Sequence, residues 1–225
     1  MTTSGTASFN LDISDLVEES FERCGQELRT GYDLKTARRS LNLLTVEWAN
    51  RGINLWTIEQ GVVPLVDGQA TYDLPTDTID LLDMVVRDGT GQNQTDINIS
   101  RISVSTYSTI PNKNVKGRPI QVWVNRQITP QINVWPTPDG EQYSFVYWRL
   151  RRIQDASGST QTMDIPFRFL NCMVAGLAYY LSMKLDVDPG RRGELKMDYE
   201  QQLQMAQDED REKAPIRLVP RMRNY

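Results

Sequence analysis

The chain has 225 residues, a formal net charge of −4, a pI near 5.0 and no histidine. That length can bury roughly 70% of its unfolded surface, enough for one core and a smaller module. The acidic balance argues against gripping nucleic acid or an anionic membrane through a basic excess. The lack of histidine excludes Ser-His-Asp and Cys-His catalysis and His-ligated zinc, and two distant cysteines cannot hold a structural zinc alone.

In chain order, residues 1–10 are small and polar, expected as a mobile leader without the basic n-region and apolar h-region of a signal peptide. Ile13, Val17, Phe21, Cys24 and Leu28 then repeat at helical spacing, with Asp12 or Ser14 placed to cap the start. This helix carries Asp15, Glu18, Glu19, Glu22 and Glu27 against a single Arg23, most simply a solvated acidic face. A short link, Arg29 to Tyr32, predicts an antiparallel hairpin with the next helix.

The clearest helix lies between Leu28 and Trp56. Leu34, Ala37, Leu41, Leu44 and Trp48 draw one stripe, Asp33 is expected to cap its start, and Gly52 sits where a left-handed residue would end it. Leu43, Val46 and Ala49 widen the stripe, so the helix should touch more than one neighbour.

From Ile53 to Ile153 the chain turns to short Val, Ile, Thr, Tyr and Trp runs broken by VDGQ, RDGTGQNQ and WPTPDG. Expected strands are Trp56–Val66, Ala70–Leu74, Asp83–Arg87, Ile97–Ile102, Pro119–Asn125, Gln131–Trp135 and Gln142–Arg149, with Ser103–Lys116 as a loop. Tyr143, Phe145 and Tyr147 alternate with Val146, Trp148 and Leu150, so both faces of the last strand can be covered. Pro136 and Pro138 end their strand by removing ladder donors.

After DASGSTQTMD, Asp164 and Pro166 are expected to open a helix bearing Leu170, Met173, Val174, Leu177, Ala178, Leu181 and Leu185. It is apolar nearly all round, and Cys172, Ala175 and Gly176 permit close approach. Its longest apolar run, Cys172 to Met183, is too short to span a bilayer. Asp188-Pro189 then opens a polar helix with one stripe, Leu195, Tyr199, Leu203 and Ala206, running to about Lys213. Cys24 and Cys172 are expected as free buried thiols.

In the last segment, APIRLVPRMRNY, Pro215 and Pro220 favour extended backbone, and Ile216, Leu218, Val219 and Met222 interleave with Arg217, Arg221 and Arg223. The readings are a solvated tail or a docking arm; the large aliphatics favour the arm.

Chemistry is thinly signalled. No GxxxxGK[ST] loop occurs, and DGTGQN reads as a hairpin turn. Asp186, Asp188 and Glu194 bracket a glycine turn but lack the order of a calcium loop. Glu18, Glu22 and Glu47 are the candidate catalytic carboxylates, a description that solvated helix acids also satisfy. Two basic clusters suit nucleic acid: Arg38-Arg39, and Arg149, Arg151 and Arg152 beside Tyr147 and Trp148. The simpler reading of the second is an edge strand guarded by charge.

The order of elements carries more than any site. An acidic helix, ELRTGYDLKTARRSLNLLTVEWANRGINLWT, a β insertion containing GRPIQVWVNRQ and WPTPDG, two closing helices and a Pro/Arg arm together resemble the head-to-tail adaptors of short-tailed bacteriophages, of the tail accessory factor or tail tubular A type. The expected fold is α+β: a four-helix bundle from residues 1–52 and 154–213, an antiparallel β module over 53–153 and a docking arm over 214–225. The resemblance implies a non-enzymatic virion protein of the neck, made in the host cytoplasm. It implies a ring, usually of twelve copies, joining the portal protein to the tail nozzle or tail tubular protein around the DNA exit channel.

On this reading double-stranded DNA passes non-specifically, no cofactor, metal or membrane takes part, and Asp15, Glu18, Glu19 and Glu22 face the lumen or an interface. Pro215, Ile216, Arg217, Leu218, Val219, Arg221, Met222, Arg223 and Tyr225 match the family's portal-docking arm. The alternatives are a virion-associated, carboxylate-dependent cell-wall hydrolase and a non-viral protein-binding module.

Overall fold

The structure is a computed structural model that describes residues 3–29, 31–53 and 55–210. The helices are α1 (Ile13–Arg23), α2 (Gly31–Asn50), α3 (Val104–Thr109), α4 (Leu170–Ser182) and α5 (Pro189–Glu209). The strands are β1 (Ile58–Pro64), β2 (Thr71–Asp73), β3 (Thr78–Asp88), β4 (Thr95–Asn98), β5 (Ser100–Ile102), β6 (Gln121–Asn125), β7 (Gln131–Trp135) and β8 (Tyr143–Arg151). The fold is α+β, with five helices and mainly antiparallel sheets among the described residues. By compactness it divides into two units, Met1–Leu55 with Gln154–Tyr225, and Trp56–Ile153.

In the first unit α4 is the hub, packing against α1, α2 and α5. Its all-round apolar surface requires that: Leu170, Met173, Val174, Leu177, Ala178 and Leu181 are all buried. At Gly176 a Cβ would meet Tyr199 Cε2 at 2.8 Å and Leu44 Cδ2 at 2.9 Å, so glycine is what lets α2 and α5 close on α4. Across this contact Trp48 Nε1 donates to the Tyr199 hydroxyl at 3.1 Å, and the Trp48 ring lies 5.5 Å from that of Phe169. Ser20 Oγ donates to Val174 O at 3.2 Å, tying α1 to α4.

Helix ends follow local chemistry. Asp12 accepts from Asp15 N at 2.8 Å and caps α1. Both α1 and α2 end on a left-handed glycine, Gly25 (φ 72°) and Gly52 (φ 78°). In each case two backbone bonds close the end: Gly25 N to Glu22 O and Gln26 N to Phe21 O, then Gly52 N to Ala49 O and Ile53 N to Trp48 O. Asp188 Oδ2 accepts from Gly190 N at 2.8 Å and Arg191 N at 3.3 Å, with Pro189 opening α5.

Four helix boundaries differ from expectation. Asp33 lies inside the first turn of α2, at its third residue and not ahead of it, where its charge favours the helix dipole. The glycine closure at Gly25 stops α1 before Leu28, so the link to α2 is longer than the Arg29–Tyr32 segment. Asp164 Oδ2 accepts from Gln154 N at 3.1 Å, and Pro166 leads into a 3₁₀ turn, Phe167–Phe169, ahead of α4. The helix begun at Pro189 ends at Glu209.

The second unit holds two four-stranded sheets, ordered β1-β8-β3-β4 and β2-β7-β6-β5. Leu65, Tyr72, Leu81, Val86, Val122, Ile132, Val134, Phe145 and Tyr147 from both sheets fill one core. Gly61 pairs across the ladder with Tyr147, whose ring occupies the space a Cβ would need. The expected strand Ile97–Ile102 is two strands: β4 pairs with β3, and β5 pairs with β6, in parallel rather than the expected antiparallel sense. Buried Ile99 sits between them, where the chain changes sheets. Ser103–Lys116 is not all loop. Ser103 Oγ accepts from Thr106 N at 3.2 Å to cap α3, and Tyr107 of that turn stacks on Trp123 at 5.3 Å.

Candidate interaction surface

The acids of α1 face one groove. Asp15, Glu18 and Glu22 are exposed and Glu19 is half-buried, spaced three and four apart along the same face. Ala7, Phe9 and Leu11 from the segment before α1, with Phe167, Leu170 and Val174 around the start of α4, add the apolar walls. The groove encloses about 870 Å³. Two of its aromatics stand in solvent: Phe9 is 77% and Phe167 79% exposed. An apolar trough with an acidic rim suits a segment carrying aliphatic and basic side chains together.

Arg23 holds one end of this groove. Its Nε lies 3.0 Å from Glu19 Oε1, Nη2 donates to Asn171 Oδ1 at 3.0 Å, and Nη1 is 3.5 Å from Asp198 Oδ2, joining α1, α4 and α5. Asp15, Glu18 and Glu22 have no ion pair among the described residues. Arg168, beside Phe167, donates from Nη2 to Asp210 Oδ1 at 2.6 Å, and the Asp210 side chain is only 3% exposed.

The other candidates are scattered. Glu47 sits in a separate depression with Tyr179, Tyr180 and Tyr199, paired with Arg51 at 2.5 Å and accepting the Tyr180 hydroxyl at 2.7 Å. Burial and that carboxylate push the Tyr180 hydroxyl up to about 12. Glu18 and Glu22 line the groove instead, so the three carboxylates do not form one site. Arg38 Nη1 donates to Ser157 O at 2.5 Å, which removes it from a basic patch with exposed Arg39. Asp188 is the α5 cap and Glu194 pairs with Arg191 at 3.0 Å, so neither is a free cation ligand. Among the described residues no cluster of three or more His, Cys, Asp or Glu could hold a metal.

Neither expectation for Tyr147, Arg149 and Arg151 holds. β8 lies between β1 and β3, so it is no edge strand, and Tyr147 is buried. Arg149 Nη1 bonds Asp77 Oδ1 at 2.5 Å and Thr78 Oγ1 at 2.9 Å, and Nη2 bonds Glu59 Oε2 at 3.0 Å. Arg151 Nε meets Glu59 Oε1 at 2.6 Å. These guanidinium groups are used inside the sheet and are not presented to phosphates.

The groove aromatics escaped sequence reasoning because Phe9 stands alone in a polar leader and Phe167 follows a proline, with no periodic partner. The available signal was the isolation of Phe9 among polar residues; Phe167 lies in the run IPFRFL, where nothing in the sequence separates it from the buried Phe169. Pro215, Ile216, Arg217, Leu218, Val219, Arg221, Met222, Arg223 and Tyr225 lie outside the described residues.

A family model described as SU10 adaptor protein matches residues 11–219. The chain belongs to the SU10 adaptor protein family. That match begins just before α1 and covers both units, so the adaptor resemblance read from the segment order is borne out at the family level. No curated protein matches the chain. Membership makes the chain a bacteriophage structural protein of the adaptor kind. No helix of the described residues is long and apolar enough to cross a membrane.

Proposed function

We propose that the protein forms a ring in the virion neck that joins the portal to the tail and surrounds the DNA exit channel. The observation that carries this is the adaptor family match across residues 11–219. In this reading the four longer helices act as a bundle built from residues 1–52 and 154–213. The β unit over 53–153 is an insertion, and residues 214–225 are the portal-docking arm.

The surface of α2 supports a ring. Ala37, Leu41, Leu44 and Trp48 are buried within the subunit, while Tyr32 (75% exposed), Leu43 (54%) and Val46 (45%) project from the opposite face. Exposed apolar side chains set beside Lys35 and Arg39, on a helix already packed on its other side, suit a neighbouring copy. A ring made this way uses heterologous contacts that close by rotation. The lumen needs no basic grip on DNA, and a net charge of −4 lets a duplex slide past without counterion-releasing contacts.

The test is assembly on purified portal rings, scored by electron microscopy. Full-length protein decorates the portal, whereas protein lacking residues 214–225 stays folded and monomeric and leaves portals bare. Unchanged decoration by the truncated protein would refute the docking arm.

A further inference from the structure

We propose that the groove between α1 and the start of α4 receives the chain's own C-terminal segment, residues 215–223, in the free subunit. The first argument is complementarity. The groove offers apolar Phe9, Phe167 and Leu170 beside a rim of Asp15, Glu18 and Glu22 that have no ion pair among the described residues. The segment PIRLVPRMR alternates between the two matching chemistries, with Ile216, Leu218, Val219 and Met222 for the trough and Arg217, Arg221 and Arg223 for the rim. Arginine suits carboxylates, with which it forms two-pronged charge-assisted bonds.

The second argument is where the chain leads. Asp210, buried against Arg168, pins the end of α5 beside the turn that carries Phe167 into the groove. From Asp210 to Pro215 is five residues, a reach of up to ~18 Å when extended. The α1 wall, 11 residues long, is about 16 Å, so extended residues beyond Pro215 can run its length. A tether this short gives the segment a local concentration in the millimolar range. Pro215 and Pro220 restrict its backbone beforehand, which lowers the entropy lost on docking.

Occupancy of the groove stands independently of the portal reading; its consequence rests on that reading. If residues 215–223 also engage the portal, they must first leave the groove, so the free subunit masks its own docking arm until a portal competes for it.

The experiment uses the full chain without portal. Amide hydrogen exchange of residues 216–223 is compared between wild type and the variant carrying R217E, R221E and R223E, with circular dichroism confirming that both are folded. Wild-type amides are expected to exchange about tenfold slower than those of the variant. Reversing the rim as well, with D15K, E18K and E22K, should restore protection. Zero-length carbodiimide coupling of an equal mixture of ¹⁴N and ¹⁵N protein should join Lys213 to Glu18, Glu19 or Glu22 within chains of one isotope. Three results would overturn the proposal: wild-type exchange at the rate of a free peptide, protection that persists in the three-arginine variant, or cross-links joining the two isotopes, which mean a second copy. Portal decoration is not scored in this experiment, so a failed portal assay and a failed groove assay remain distinguishable.

Discussion

Arg149 shows how one side chain changes meaning between sequence and fold. In the sequence it is one of three arginines beside aromatics, a pattern shared with single-strand binders. In the fold it is buried on a central strand and neutralised by Asp77 and Glu59. The hydrogen bond from Arg149, opposed by burial, holds the Asp77 carboxyl below its ordinary value. A carboxylate lowered in the folded state contributes stability above its unfolded pKa and loses it as pH falls through the folded pKa. Both carboxylates are 44% exposed, so solvent screening leaves Arg149→Met a cost of about 1–2 kcal/mol at pH 7. Urea unfolding followed by tryptophan fluorescence should show this gap closing between pH 5 and pH 2. A gap of constant size would mean that packing, and not the ion network, sets the cost.

At the scale of elements, the glycines that end α1 and α2 are both conformational requirements. Gly25 and Gly52 have positive φ, and nothing lies within 4 Å of an added Cβ, so only the backbone objects to alanine. Gly25→Ala and Gly52→Ala are each expected to cost about 1 kcal/mol. Gly31, with equal space and ordinary φ at the first residue of α2, is the control, and Gly31→Ala should be neutral or slightly stabilising. Thermal unfolding by circular dichroism separates the three; equal effects would mean that φ is not what these positions require. Such ends were legible because capping chemistry is local: Asp12, Gly52 and Asp188 act within four residues of themselves. Asp164 misled for the complementary reason, since a cap candidate identifies a possible bond and not which backbone takes it, here Gln154 N. The strand Ile97–Ile102 misled further, because a switch between sheets depends on partners remote in sequence.

At the scale of the whole molecule, Cys24 and Cys172 report on the integrity of the helical unit. Burial pushes the Cys24 thiol up to about 11 and that of Cys172 to about 12, and Cys24 Sγ also donates to Ala178 O at 3.2 Å. Against an ordinary thiol this lowers the thiolate available at pH 8 by about two orders of magnitude or more, before burial limits access. A disulfide reagent should therefore leave both thiols unreacted in the native protein and titrate both in guanidinium, with kinetics that follow global opening. A thiol that reacts at once in the native protein would mean that the α1–α4 contact opens locally.

The candidate surface was half legible. Asp15, Glu18, Glu19 and Glu22 were visible as an acidic face because helical spacing places them together. Phe9, Phe167 and Leu170 come from segments more than 150 residues apart, and only packing brings them beside those acids.

Taken alone, the sequence determined the α+β class, the helical stripes, the glycine end of α2 at Gly52 and the order of segments that mark an adaptor, but not the end of α1 at Gly25. Each follows from residue spacing or from chemistry within a turn of helix. Only the tertiary structure decided that β8 is central, that Arg149 and Arg151 are consumed by carboxylates, that Glu47 stands apart from Glu18 and Glu22, and that the α1 acids rim an apolar groove. Those outcomes depend on which distant surfaces pack together, and packing is set by burial summed over many residues, which no local pattern records.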